Sequence, residues 1–200
     1  MHRIMRSRWF TAFLVISAVV FTNMMTAKYI RVDAALTTIH ALGGSYSDDD
    51  TTFFGPKRIM FGPPTPWDAP YTLDDSTLLC MLPLVAHLPQ VKAVTVRSCP
   101  NVTSKPVRVI INSFDLRELF LSHTGVDDSL IVEIATEDSI ERLDVRGTKI
   151  TIQGLRGLRP MPRLRELYVD RTQVSESDLP PLKAMFPNTA LKVSEVRPTL

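Results

Sequence analysis

Leu116–Val126 reads LRELFLSHTGV, Ile140–Ile150 reads IERLDVRGTKI, and Leu164–Val174 reads LRELYVDRTQV. The three stretches start 24 residues apart. Apolar residues stand at offsets 0, 3 and 5 of each: Leu116, Leu119, Leu121; Ile140, Leu143, Val145; Leu164, Leu167, Val169. A threonine follows at offset 8 (Thr124, Thr148, Thr172) and a β-branched aliphatic at offset 10 (Val126, Ile150, Val174). Two more apolar residues come at offsets 15 and 18: Ile131 and Ile134, Leu155 and Leu158, Leu179 and Leu182. Offsets 3 and 5 flank one outward residue, which is the period of a strand. Offsets 15 and 18 lie one helical turn apart, so each unit predicts strand, turn, short helix and return. A unit of this size cannot bury its own apolar face, so neighbours must stack.

The pattern extends both ways. A weaker copy starts 25 residues upstream, with Val91, Val94 and Val96 at the strand offsets and Cys99 in the threonine place. One inserted residue then shifts Val102, Val107 and Ile110. A truncated copy follows the last unit, with Asn188, Leu191 and Val193 at offsets 0, 3 and 5. Leu82, Val85 and Leu88 precede Val91 as Leu155, Leu158 and Met161 precede Leu164, and Lys57–Phe61 reads as a still earlier strand. Ser175–Asp178 has the form of a capping box, and Asp127-Asp128 offers a second helix start. Pro160, Pro162 and Pro187 fall in the returns, where no ladder hydrogen bond is needed.

L-x-x-L-x-L at this period resembles the leucine-rich repeat, over residues 72–196. The ladder position, usually Asn or Cys in that family, is Cys99, Thr124, Thr148 and Thr172 here, so a hydroxyl or thiol meets the turn backbone. Thr followed after one residue by Ile or Val is similar to leucine-rich-repeat proteins of planctomycete-type bacteria. Their layout of membrane segment, short helix ending in Leu-Gly-Gly, brief insert and repeats is matched by Leu42-Gly43-Gly44 and Phe53-Phe54. The resemblance implies an α/β fold: a short solenoid with parallel strands on one face and short helices on the other, behind an N-terminal transmembrane helix. Most members of that family have no assigned biochemical role.

The N-terminal region carries the membrane reading. Arg3, Arg6 and Arg8 precede an uncharged run from Trp9 to Ala27 that Lys28 closes. A helix over residues 9–27 is about 28 Å long at ~1.5 Å per residue, near the thickness of a bilayer's hydrocarbon core. The arginines place the N-terminus in the cytoplasm and the repeats on the outer, extracytoplasmic side. A cleaved signal peptide competes, with Ala27 at −1, but Met25 suits −3 poorly. A buried N-terminal core helix is the third reading, and nothing amphipathic in the run favours it. Tyr29–Leu42 predicts a short amphipathic helix continuing from the run and stopped by Gly43-Gly44. The expected organisation is thus a basic tip and anchor at 1–27, a juxtamembrane helix at 28–44, a Pro-rich insert at 45–71, repeats at 72–196 and a tail at 197–200.

Composition narrows the function classes. In 200 residues, 44% are hydrophobic and 22% charged, which fits a globular domain. Lys+Arg is 23 against Asp+Glu 21, so the net charge of +2 supplies no field for nucleic acid. Two cysteines, Cys80 and Cys99, make no disulfide framework or zinc site, although pairing between them stays open outside the cytoplasm. His2, His40, His87 and His123 show no metal spacing, Asp48-Asp49-Asp50 lacks the calcium-loop pattern, and no nucleotide or hydrolase motif occurs. Asn101-Val102-Thr103 is a glycosylation sequon only in a eukaryotic secretory route. The stretch at residues 62–70, GPPTPWDAP, reads as a rigid loop with Trp67 packed on the first coil, and a polyproline ligand is its alternative.

Stacking sets equivalent residues of neighbouring strands about 4.8 Å apart. Offset 4 gives the outward column Thr95, Phe120, Asp144, Tyr168, Lys192. Offset 6 gives Arg97, Ser122, Arg146, Asp170, Ser194. Offset 2 gives Ala93, Glu118, Arg142, Glu166, Ala190, whose Glu–Arg–Glu alternation predicts cross-strand pairs. Arg97, Phe120, Asp144, Arg146, Tyr168, Asp170 and Lys192 form the candidate face for a protein partner, and cross-strand packing is the plainer account of the aromatics. The expected function is a non-enzymatic, membrane-anchored interaction module without cofactor, metal or nucleic acid. A self-associating structural component is the alternative, and an enzyme has no supporting motif.

Overall fold

The computed structural model describes residues 2–41, 43–47, 57–62, 73–86, 88, 90–158, 161–170 and 174–194, with side chains from residue 17 onward. Helix α1 (His2–Ala41) opens the chain as one unbroken element, so the apolar run and the amphipathic segment share a single helix. Gly43, at φ 70°, ends it, with the N–H of Gly44 donating to the Ile39 carbonyl at 2.8 Å. That left-handed step is the position a glycine C-cap serves. Among the described residues no helix is long and apolar enough to cross a membrane. Residues 9–16 of the apolar run lie outside the described side chains.

Strand β1 (Ser45–Ser47) pairs antiparallel with β2 (Arg58–Phe61), so the sheet begins inside the stretch read as a Pro-rich insert. The remainder of that insert at 48–56 and 63–71, including Phe53-Phe54 and Trp67, lies outside the described residues, as do Leu42, His87, Thr172 and the tail. Helix α2 (Asp75–Val85) leads to β3 (Ala93–Val96), then α3 (Ser104–Ser113) and β4 (Glu118–Phe120). A 3-10 turn and α4 (Ile131–Ile134) lead to β5 (Arg142–Asp144), and α5 (Ile152–Gly157) to β6 (Glu166–Asp170). A second 3-10 turn, α6 (Leu179–Met185) and β7 (Ala190–Ser194) close the described chain. The fold is α/β: one seven-stranded sheet in chain order, antiparallel only at β1 and otherwise parallel.

The repeat offsets explain this order. Val94, Val96, Leu119, Leu121, Leu143, Val145, Leu167 and Val169 are all no more than 1% exposed. Val126, Ile150 and Val174, at offset 10, join them, as do Leu130, Ile134, Leu155 and Leu182 from the helical side. Strands β3, β4 and β5 each turn through a left-handed residue at offset 7: Ser98 (φ 54°), His123 (φ 57°) and Gly147 (φ 63°). Ser98 and His123 carry the steric cost of that conformation, which Gly147 avoids.

The helical side is stitched by carboxylates. Asp75 accepts from both the N–H and the hydroxyl of Thr103, each at 2.6 Å, and Asp128 accepts the same pair from Thr151 at 2.7 Å. Thr103 and Thr151 are the N-caps of α3 and α5, so an acid at one helix start orients the cap of the next unit. Asp74 caps α2 by accepting from the Thr77 N–H at 2.8 Å, and Asp127 caps the turn before α4 through the Ser129 N–H at 3.1 Å. At Ser175–Asp178 the expected capping box is present, the Ser175 N–H donating to Asp178 at 3.3 Å.

These caps predict an acid-labile fold. Thr77's backbone N–H and hydroxyl, then the Ser76 hydroxyl, lower the Asp74 carboxyl from its ordinary 3.8 to about 2. Asp127 is lowered by the Ser129 and then the Ser104 hydroxyl, and Asp178 by the Ser175 hydroxyl. A carboxyl depressed by folding contributes stability above its unfolded pKa and loses it as pH falls through the folded value. The melting temperature should therefore hold between pH 7 and 5 and drop from about pH 4 toward 2. Asp74→Asn with Asp127→Asn, which keeps capping amides without the titration, should flatten that drop in thermal melts followed by circular dichroism. A wild-type melting temperature unchanged down to pH 2 would contradict this account.

Candidate functional site

The outward face of the parallel strands is where the sequence pattern concentrates chemistry. The register pairs Thr95 with Phe120, Phe120 with Asp144, Asp144 with Tyr168 and Tyr168 with Lys192, so the offset-4 residues form one column. Side by side runs the offset-2 column of Ala93, Glu118, Arg142, Glu166 and Ala190.

The charges of that second column pair across strands. Arg142 reaches Glu118 at 3.0 Å and Glu166 at 3.8 Å. Arg58 of β2 extends the row, donating to the other Glu118 oxygen at 2.7 Å. The sequence pattern missed Arg58 because its neighbour in register is Ala93, and only that small side chain lets the guanidinium pass over one strand to the next. Tyr168 donates to Glu166 at 2.7 Å, and this bond, followed by burial, raises the phenol's pKa. Half-exposed pairs of this kind are worth about 0–1 kcal/mol each, so they set register more than stability.

The centre of the face differs from the sequence expectation. Asp144 is 2% exposed and Asp170 6%, so neither is a partner-facing residue. Arg146 folds back over Asp144, donating from Nε at 2.9 Å and from its amino nitrogen at 2.6 Å, while its backbone N–H reaches the same carboxylate at 3.1 Å. This pairing is the first cause of the raised Arg146 pKa. Asp170 turns toward the Gly147 N–H. Both acids thus hold the turn at the end of β5. Thr95 is buried as well, at 7%. The physical reason is length: a short aspartate between Phe120 and Tyr168 lies below the surface that the longer residues define.

What remains on the surface is aromatic and basic. Phe120 and Tyr168 are half-exposed and incline toward each other across Asp144, their ring centroids 6.5 Å apart at 56°. The Arg146 guanidinium lies 5.2 Å from the Tyr168 ring centroid and donates to the Ser194 hydroxyl at 3.1 Å. A cation over a ring in this range is attracted by the ring's quadrupole. Lys192 is exposed beyond Tyr168, and Arg97 is half-exposed at the end of β3.

The ladder residues lie at the turn. Thr124 donates to the Leu121 carbonyl at 2.7 Å, and Thr148 to the Val145 carbonyl at 2.6 Å. Cys99 is fully buried with its thiol 3.1 Å from the Arg97 carbonyl, and burial pushes its pKa up to about 11. Cys80 is exposed on α2, and both cysteines are free thiols. Among the described residues no three His, Cys, Asp or Glu side chains cluster as metal ligands. A shallow hollow of about 470 Å³, lined by Glu141, Pro162, Arg163, Leu164, Arg165 and Asn188, lies away from the aromatic column. In comparison with known proteins, no family model matches this chain. No curated protein matches it either.

Proposed function

We propose that this chain is a membrane-anchored leucine-rich-repeat module that binds a protein partner through the outward face of its strands, without catalysis. The observation that carries the reading is the surface pair Phe120 and Tyr168, set over the Asp144–Arg146 pair. Rings held by the strands on either side of β5 and a buttressed arginine present contact area at little cost in ordering, as binding hot spots do. The solenoid reading is supported by the 24-residue spacing and by strands pairing in chain order at equivalent offsets. The anchor reading is supported by the uncharged run after Arg8 and by Val19, Val20, Phe21 and Met24, which are 50–67% exposed on α1. The arginines set the N-terminus in the cytoplasm and the repeats outside.

The test is capture from detergent-solubilised native membranes, comparing wild type with Phe120→Ala/Tyr168→Ala. Hot-spot aromatics are worth about 2 kcal/mol or more each, so the variant should retain a specific partner at least about thirtyfold less well. Its circular dichroism should match wild type. Equal capture by a folded variant would return the aromatics to sheet packing alone.

A further inference from the structure

Helix α2 departs from the other unit helices. Its sequence, DSTLLCMLPLV, carries no charge after Asp75. Its counterparts each carry one or more: Lys105 and Arg108, Glu133, Arg156 and Lys183. One side of α2 is core, with Leu78, Met81, Leu82 and Val85 at most 4% exposed. The other side is equally apolar and uncovered: Leu79 is 39% and Leu84 42% exposed, with Cys80 and Pro83 exposed between them. A helix apolar all round belongs in a core or in lipid rather than in water.

The docking of α1 brings lipid within reach. Ala35 and Ile39 are fully buried, and Met25, Lys28, Val32 and Leu36 continue that stripe as half-buried residues. Off the stripe, Phe21, Met24, Tyr29 and Ile30 are 61–67% exposed. Helix α1 packs against α2. The uncharged run ends at Ala27, five residues before Val32, where packing of α1 on the core begins, and aromatic residues bracket it, Trp9 and Tyr29, as at the two interfaces of a bilayer. From Ala27 to Val32, the first apolar residue of α1 packed on the core, the helix rises about 7–8 Å, comparable to a headgroup layer of about 5–8 Å per leaflet. Because α1 is unbroken to Ala41, no linker lets the domain stand off.

We propose that the face of α2 formed by Leu79, Pro83 and Leu84 is a lipid-contacting surface that seats the first unit of the sheet domain in the headgroup layer. This rests on the membrane reading of α1. The occupant is the bilayer from which α1 emerges, in the manner of an interfacial helix whose apolar side enters the headgroup boundary.

Cys80 supplies the probe position, since Cys99 is buried and its thiol is protonated near neutral pH. The full chain, labelled at Cys80 with an environment-sensitive fluorophore, is reconstituted into phosphatidylcholine vesicles and floated on a gradient. The expected result is flotation, blue-shifted emission, quenching by spin-labelled lipid and protection from aqueous iodide. Leu79→Gln/Leu84→Gln should still float but lose the blue shift and the lipid quenching. A floating protein whose label iodide quenches freely places this face in water and overturns the proposal. A label shielded from both quenchers means that protein covers the face, a second copy or residues 63–72, and overturns it equally. A chain that fails to float overturns the anchor reading itself.

Discussion

Replacing Leu167 by Asp should abolish the cooperative unfolding transition of the sheet domain. Leu167 is fully buried and sits in register between Leu143 and Leu191, with residues of α5 and α6 closing the core behind the strands. Truncating such a leucine to Ala alone costs about 2–5 kcal/mol. An aspartate adds an unpaired carboxylate in an apolar core and so a further penalty of several kcal/mol. The sum is comparable to the about 5–15 kcal/mol that stabilises a whole domain. Leu143→Asp, fully buried one strand earlier, should behave alike. Leu167→Met, which conserves volume, should cost less than about 1.5 kcal/mol. Urea titration followed by circular dichroism separates these cases. A wild-type midpoint for Leu167→Asp would mean that the offsets are shifted and that residue 167 faces solvent.

Gly125→Val should be the next most damaging change. A Cβ at Gly125 would stand 2.6 Å from the Pro100 carbonyl oxygen and 3.1 Å from that of Val102. Both neighbours are backbone of the preceding unit, and the Gly125 N–H itself donates to the Val102 carbonyl at 2.8 Å. No side chain can swing aside, so the two units must separate or the bond must break. Overpacking commonly costs about 1–3 kcal/mol, and this site should lie at or above the top of that range. Gly157→Ala is the internal comparison. Its added Cβ would meet only Ile131 Cγ2, at an ordinary 3.5 Å. Within α5 that exchange should be neutral or stabilising by up to about 1 kcal/mol. Equal melting temperatures for Gly125→Val and wild type would contradict the close approach of the units at this turn.

The strand register is readable in the sequence because one period places every core residue. Offsets 3 and 5 recur with β-branched or leucine side chains, and a slip of one residue would expose them all. Hence Glu118, Arg142 and Glu166 align, and the expected charge row exists. The early strand at Lys57–Phe61 was legible for the same reason, as β2 over Arg58–Phe61. The insert was harder to read: β1 is three residues long, Ser-Tyr-Ser, and has no apolar alternation to mark it.

The candidate site was only half legible. A pattern assigns Phe120, Asp144 and Tyr168 to one column, but not their heights above the sheet. Asp144 becomes buried because Arg146, two residues on in the turn after β5, bends back to it, and because the flanking rings are longer. The Arg58–Glu118 pair spans 60 residues of chain and depends on Ala93 being small. The Asp75–Thr103 and Asp128–Thr151 bonds join units whose offsets differ in local spacing, so no single period reveals them.

By itself, then, the sequence determined the α/β class, the direction of each strand's apolar face and the columns that adjacent strands share, since these follow from local periodicity and the need to bury apolar area. The tertiary structure alone decided which of those outward residues meet solvent, which carboxylates are roofed, and that one uninterrupted helix carries the uncharged run against α2. Those outcomes depend on side-chain length, on close approach between units and on contacts far apart in the chain, and none of these is a property of a single repeat.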